Sequence, residues 1–128
     1  MAGVFFGLMI GLELKHYIAD YFMQPGWMLR GKGNFLMPGG YAHAGLHAAL
    51  SLAVLLLFGS PPGLALALFA AEFVLHYALD YTKAACSRGI DADRQPTRYW
   101  ALHGTDQLAH QLTYAAMIYA VLRGGGFV

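Results

Sequence analysis

His16 and Asp20, His43 and His47, His76 and Asp80, and Asp106 and His110 are four pairs of imidazole and carboxylate residues, each spaced i, i+4. That spacing places both members of a pair on one helix face. Neutral imidazole nitrogens and carboxylate oxygens form the donor set that holds zinc, manganese or iron, and the same groups carry protons near neutral pH. The pairs also recur. HYIADY at residues 16–21 returns as HYALDY at residues 76–81, so His16 and Asp20 lie sixty positions before His76 and Asp80. His43 and His47 align with Asp106 and His110 at an offset of sixty-three. Shared spacing on four segments points to one two-helix hairpin used twice.

The elements that must position these pairs are apolar. Of 128 residues, 58% are hydrophobic and only 12% charged, well outside the norm for soluble globular domains. Apolar stretches at Ala2–Leu14, Ala44–Phe58, Leu64–Leu79 and Leu112–Leu122 approach the roughly 20 residues of a membrane crossing once their polar turns are included. The expected fold is all-α: a four-helix transmembrane bundle filling residues 1–128 as a single domain, with helices at about 2–23, 41–58, 64–85 and 98–122. Pro25-Gly26, Pro38-Gly39-Gly40, Gly59 to Gly63, Pro96 and Gly124-Gly125-Gly126 punctuate them. The first segment lacks a basic leader and a small-residue cleavage site, so it is expected to remain as the first helix. Arg30 and Lys32 follow helix one, and Arg88, Arg94 and Arg98 follow helix three, whereas the middle turn has no charge. The positive-inside rule then sets both long loops in the cytoplasm and both termini outside. Trp27, Tyr41, Tyr99 and Trp100 fall at that cytoplasmic boundary, where amphipathic rings settle. Each hairpin starts outside, so the two repeats are parallel and related by a pseudo-twofold axis along the membrane normal. A net charge of +1 without a dense basic cluster gives no sign of nucleic-acid binding.

At this topology all four pairs share one depth, near the cytoplasmic ends of their helices. Ionisable groups inside a membrane are costly unless paired, hydrated or metal-bound. Eight of them need a common explanation. Helix bundles build dinuclear centres from inward carboxylates and histidines on facing helices, so the expected cofactor is a divalent transition metal, two ions of Zn, Mn or Fe. Its ligands would be His16, Asp20, His43, His47, His76, Asp80, Asp106 and His110. A metal-free hydrogen-bond network is the alternative. A b-type haem held by paired histidines is disfavoured, because it leaves three aspartates without a purpose. Around this set, Lys83 shares the His76 face and suits either an anionic substrate or a snorkelling interfacial role. Glu13 and Glu72 lie deeper, as proton carriers, outer hydrogen-bond partners or simple inter-helix bonds; with Lys83 they are the candidates for catalytic work. Gln24 and Gln107 are placed to orient ligands. His103 reads as an interfacial histidine, and Tyr17, Tyr21, Tyr77 and Tyr81 as packing between helices. Cys86 is the single cysteine, so it forms no intrachain disulfide. Gly3, Gly7 and Gly11 repeat every four residues, a face suited to close helix contact within the chain or in a homodimer.

His16-x-x-x-Asp20-Tyr21-x-x-Gln24, Trp27-Met28, Lys32, His43-x-x-x-His47, His76-x-x-x-Asp80-x-x-Lys83 and Asp106-Gln107-x-x-His110 resemble the small bacterial and phage integral-membrane family known as domain of unknown function 3307. The resemblance spans nearly the whole chain and implies a multi-pass protein of the bacterial inner membrane. The H-x-x-x-D pattern is similar, more distantly, to membrane-bound metal-dependent hydrolases. A hydrolase acting on a lipid or phosphoester at the cytoplasmic leaflet is therefore the expected function. No serine or cysteine stands beside the histidines to act as a covalent nucleophile. The competing class is non-enzymatic: a metal-binding or ion-conducting protein, or a structural subunit of a larger membrane assembly. Expected partners are membrane lipid and a homodimer or larger membrane assembly, not nucleic acid.

Overall fold

Proline opens three of the five helices. Pro38, Pro62 and Pro96 each occupy the first turn of a helix, where a missing N–H costs nothing and a fixed φ is already helical. The computed structural model describes residues 1–125, in the order α1 (Ala2–Phe22), α2 (Gly26–Gly31), α3 (Pro38–Leu57), α4 (Pro62–Cys86) and α5 (Pro96–Gly124). The described residues contain no strand. α3, α4 and α5 begin two or three residues earlier than the sequence suggests, because each proline is included as a first helical residue rather than left outside as a breaker. α1 ends one residue earlier than expected. α4 and α5 run on to Cys86 and Gly124, with Lys83 and Arg123 in their last turns, where cations favour the helix dipole. Gly59 and Gly89, at φ +78° and +73°, turn the chain after α3 and α4.

The short α2 departs from the expected pattern. Six residues that begin and end with glycine are too few for a hydrophobic period to show. Its stability comes from docking. A Cβ on Gly31 would lie 2.5 Å from the Gly39 Cα, and one on Gly39 would strike the Trp27 carbonyl oxygen. Only bare glycine backbones allow α2 to seat on the start of α3.

α1 packs on α3 and α5, and α4 packs on the same two helices from the other side, so the long helices close a ring with α1 diagonal to α4. Gly7 and Gly11 turn toward Phe58, the residue after α3, and Val54 of α3, while Gly3 faces open space. Within the chain, the small-residue face thus serves α1–α3 packing. Three helices, α1, α3 and α4, are long and apolar enough to cross a membrane. α5 has the length but interrupts its apolar run with Arg98, His103, Asp106, Gln107, His110 and Gln111.

Polarity is distributed in reverse of a soluble protein. Phe6, Ile10, Leu14, Leu57, Leu66, Val74 and Leu112 are exposed, whereas His43, His47, Glu72, His76, Asp80 and His110 are buried. The interior itself has two halves. Leu8, Leu12, Leu55, Ala65, Tyr114, Met117, Ile118 and Val121 form an apolar core at one end, and the histidines and aspartates fill the other.

Candidate metal centre

Each long helix supplies one i, i+4 pair to the polar half, and all eight side chains meet there. His43 and His47 are fully buried; His16, His76, Asp80, Asp106 and His110 are nearly so, and Asp20 is partly open. Every one of the five histidines turns Nε2 toward a carboxylate. Asp20 receives three: His16 Nε2 lies 3.2 Å from Oδ2, and His47 and His43 Nε2 lie 3.0 and 3.3 Å from Oδ1. Asp80 likewise receives His43 and His76 at 3.4 and 3.5 Å on Oδ2 and His110 at 3.4 Å on Oδ1. His110 also stands 3.4 Å from Asp106 Oδ1. His43 therefore sits between the two aspartates.

Donor atoms of His16, Asp20 and His47 lie within 4.8 Å of one another, as do those of His76, Asp80 and His110. These two triads correspond, residue for residue, at offsets of sixty and sixty-three positions. A third such group, His43, His47 and His76, joins them at the centre.

The separations have a physical meaning. Several of these nitrogen and oxygen atoms are close without hydrogen bonding: His43 Nε2, His76 Nε2 and Asp106 Oδ1 are buried with no hydrogen-bond partner, and Asp80 Oδ2 has an ion pair to Lys32. Buried polar atoms are costly when unsatisfied. Several of the nitrogen–oxygen separations are 3.3–3.5 Å. Tetrahedral ligands with bonds of about 2.0–2.1 Å have edges of about 3.3–3.4 Å. The donor set and its spacing thus fit a metal ion, or two. They do not fit a haem: the His47 and His76 ring centroids are 4.0 Å apart and those of His76 and His110 4.3 Å, which leaves no slot for a macrocycle.

Outer partners hold part of this layer in place. His16 Nδ1 is 2.8 Å from the Tyr114 hydroxyl, and its Nε2 is 3.3 Å from Gln107 Oε1. Gln107 also donates to Asp106 Oδ2 at 3.3 Å. Lys32, from the loop after α2, reaches Asp80 Oδ2 at 2.9 Å, and Lys83 stands 3.7 Å from Asp106 Oδ2, one-third exposed. Beneath the layer Lys15 and Glu72 form a buried ion pair of 2.6 Å, and Lys15 donates to the His47 carbonyl at 3.2 Å. Glu72 therefore bonds across helices one turn from His76. Glu13 stands apart from the layer. Its side chain is exposed and lines a cleft between α1 and α5. Gln24 donates to the Asp20 backbone, not its carboxylate. His103 lies edge-on to Trp100 at the outer rim. Tyr17 and Tyr21 are exposed and touch each other, while Tyr77 stacks on Tyr41 and Tyr81 on Phe35.

Sequence reasoning passed over Lys15 and Tyr114. A signal for Lys15 existed: it directly precedes His16 and so lies within one helical turn of the histidine–aspartate layer. Tyr114, four residues after His110, lies on the same α5 face. Above the layer a cavity of about 200 Å³ opens outward, walled by Asp20, Gln24, Lys32, Asp80, Lys83 and Asp106 among others. It brings Asp20, Asp80 and Asp106 to one opening.

Among known families, the one described as Protein of unknown function (DUF3307) matches residues 8–124. No curated protein and no solved structure matches the chain. The likeness to membrane-bound metal-dependent hydrolases rests on the His-x-x-x-Asp pattern alone.

Proposed function

The chain belongs to the DUF3307 family, and from the geometry of its polar layer we propose that it is a multi-pass protein of the bacterial inner membrane holding a dinuclear metal centre that hydrolyses a lipid or phosphoester at the cytoplasmic leaflet. The observation that carries the reading is the convergence of five Nε2 atoms on three aspartates, those of His43, His76 and His110 at 3.3–3.5 Å and those of His43 and His76 without a hydrogen-bond partner. The bundle is read as four transmembrane helices in two parallel repeats. The ring order, which sets α1 diagonal to α4 and α3 diagonal to α5, supports a twofold axis through its centre, as does the equivalence of the two triads.

One ion would be held by His16, Asp20 and His47, the other by His76, Asp80 and His110, with His43 and Asp106 completing the set. Bound metal lowers the pKa of a water toward neutrality and polarises a phosphoryl oxygen. The chain's own residues do the rest. Lys32 and Lys83 wall the cavity together with Asp20, Asp80 and Asp106, and with metal offsetting the carboxylates they favour an anion there over a neutral ester. Gln107 and Tyr114 fix the His16 ring, and orientation of this kind sustains ligand affinity. The apolar core beneath excludes water from below, so water and substrate share the upper cavity.

Metal analysis of protein purified without a histidine tag tests the reading. About two transition-metal ions per chain are expected for eight donors. Fully stable, metal-free protein would favour a hydrogen-bond network, and a Soret band would favour haem. Two ions without turnover of any phosphoester would favour the non-catalytic alternative, a metal-binding or structural subunit of a larger membrane assembly.

A further inference from the structure

Resting on the phosphoester reading above, we infer that the ligand is an anionic phospholipid that lies along the α1–α5 seam, its phosphate in the upper cavity and its acyl chain in an apolar cleft below. The cleft, about 330 Å³, is walled by Phe5 and Met9 of α1 and Ala115, Ile118 and Leu122 of α5. Phe5 and Met9 are more than one-third exposed. α1 and α5 meet least of the neighbouring long helices, and the gap between them is where the ring is thinnest. In a bilayer such a cleft is in contact with hydrocarbon, since an apolar cavity offers water no partners.

What distinguishes this cleft from any lipid-facing furrow is its alignment with the polar cavity. Gln107 borders the polar cavity and Gln111 the apolar one; they are one turn apart on the same face of α5. Asp20 and Glu13 do the same on α1, two turns apart. The seam therefore presents two lysines beside the metal-ligand carboxylates, then a polar band of Gln107, Gln111 and Glu13, then an apolar trough. Phosphate, ester linkage and acyl chain follow in that order in a phospholipid. Charge selects the head once bound metal offsets Asp20, Asp80 and Asp106, because Lys32 and Lys83 stand at the same cavity wall.

Detergent-purified protein exposed to dioleoyl phosphatidic acid, with bound lipid read by intact mass, tests the assignment. Ala115→Trp fills the trough from α5, and Met9→Trp fills it from α1. Each methylene kept out of an apolar site weakens binding about fourfold, so excluding even two lowers retention on the order of tenfold. Both variants should lose the dioleoyl lipid to that extent, yet hold dihexanoyl phosphatidic acid and metal as the wild type does. Dioleoylglycerol, which lacks the phosphate, should be retained poorly by all three proteins. Undiminished dioleoyl retention in both variants would overturn the inference, as would wild-type retention of inorganic phosphate as strong as that of the lipid. Two bound metals with no lipid retained defeats this inference and leaves the metal centre standing. Lipid retained by metal-free protein, and lost in the tryptophan variants, defeats the metal centre and leaves the seam.

Discussion

Asp20 and Asp80 each gather three histidine Nε2 atoms, and His43 touches both. If both aspartates feed one dinuclear centre, replacing either carboxylate with an amide should have the same consequence. Asp20→Asn and Asp80→Asn keep shape and lose charge, so each should retain roughly one ion of two, or less, with helicity unchanged. Metal content measured on the two variants decides: full loading in Asp20→Asn beside loss in Asp80→Asn would sink the shared centre and leave HYIADY a structural echo. Below them Lys15 and Glu72 make a different residue-scale prediction. A buried ion pair stripped of one partner leaves an uncompensated charge, so Lys15→Met should cost about 3–5 kcal/mol. Replacing both, Lys15→Met with Glu72→Met, should restore most of it. Unfolding in micelles that found the single variant as stable as the parent would show that the pair contributes nothing. The eight ligand-type residues were legible because i, i+4 spacing and shared offsets are properties of a string. The Lys15–Glu72 bond was not, because fifty-seven positions separate its partners and only the packing of α1 against its neighbours brings them together.

Helices, as elements, were legible from their apolar runs and breakers, and their edges shifted by the few residues that proline adds when it starts a helix instead of stopping one. α2 was invisible for a physical reason. It is specified by contact with α3, through Gly31, Gly39 and Gly40, not by a pattern of its own. That contact also delivers Lys32, the residue after α2, to Asp80. A methyl group at Gly39 meets the Trp27 carbonyl oxygen and the Met28 backbone, neither of which can yield as a flexible side chain does. Gly39→Ala should therefore push α2 off α3 and cost about 1–3 kcal/mol, the range for overpacking a close contact. Gly63→Ala is the control, since nothing lies within 4 Å of a Cβ there. Thermal melts of the two variants should separate clearly. Equal midpoints would mean that the α2 docking seen here does not support the fold.

At the scale of the whole molecule, an apolar exterior around a polar interior is the arrangement a bilayer demands, since hydrocarbon takes over the role that water plays for a soluble surface. Composition announced this; the two-halved interior did not follow from it, because which end of each helix is polar matters only once the helices alternate in direction. That alternation sets the loop after α1 and the loop after α4 on one side, and the α3–α4 turn on the other. Basic residues Arg30, Lys32, Arg88, Arg94 and Arg98 all belong to the first side, which the positive-inside rule assigns to the cytoplasm. The chain carries its own reporter. Cys86, the single cysteine, ends α4 and is exposed, so a membrane-impermeant maleimide reads its side directly. In intact cells Cys86 should resist labelling, and in inverted vesicles it should react. Gly63→Cys in a Cys86→Ser background stands at the opposite end of α4, with open space around it, and should behave in reverse. Labelling of both positions from the same side would mean that α4 does not cross, and the centre between α1 and α4 could then not be a membrane-embedded one. Labelling of Cys86 in intact cells, with Gly63→Cys protected, would keep the crossing but invert it, opening the upper cavity and its lysines to the outer leaflet.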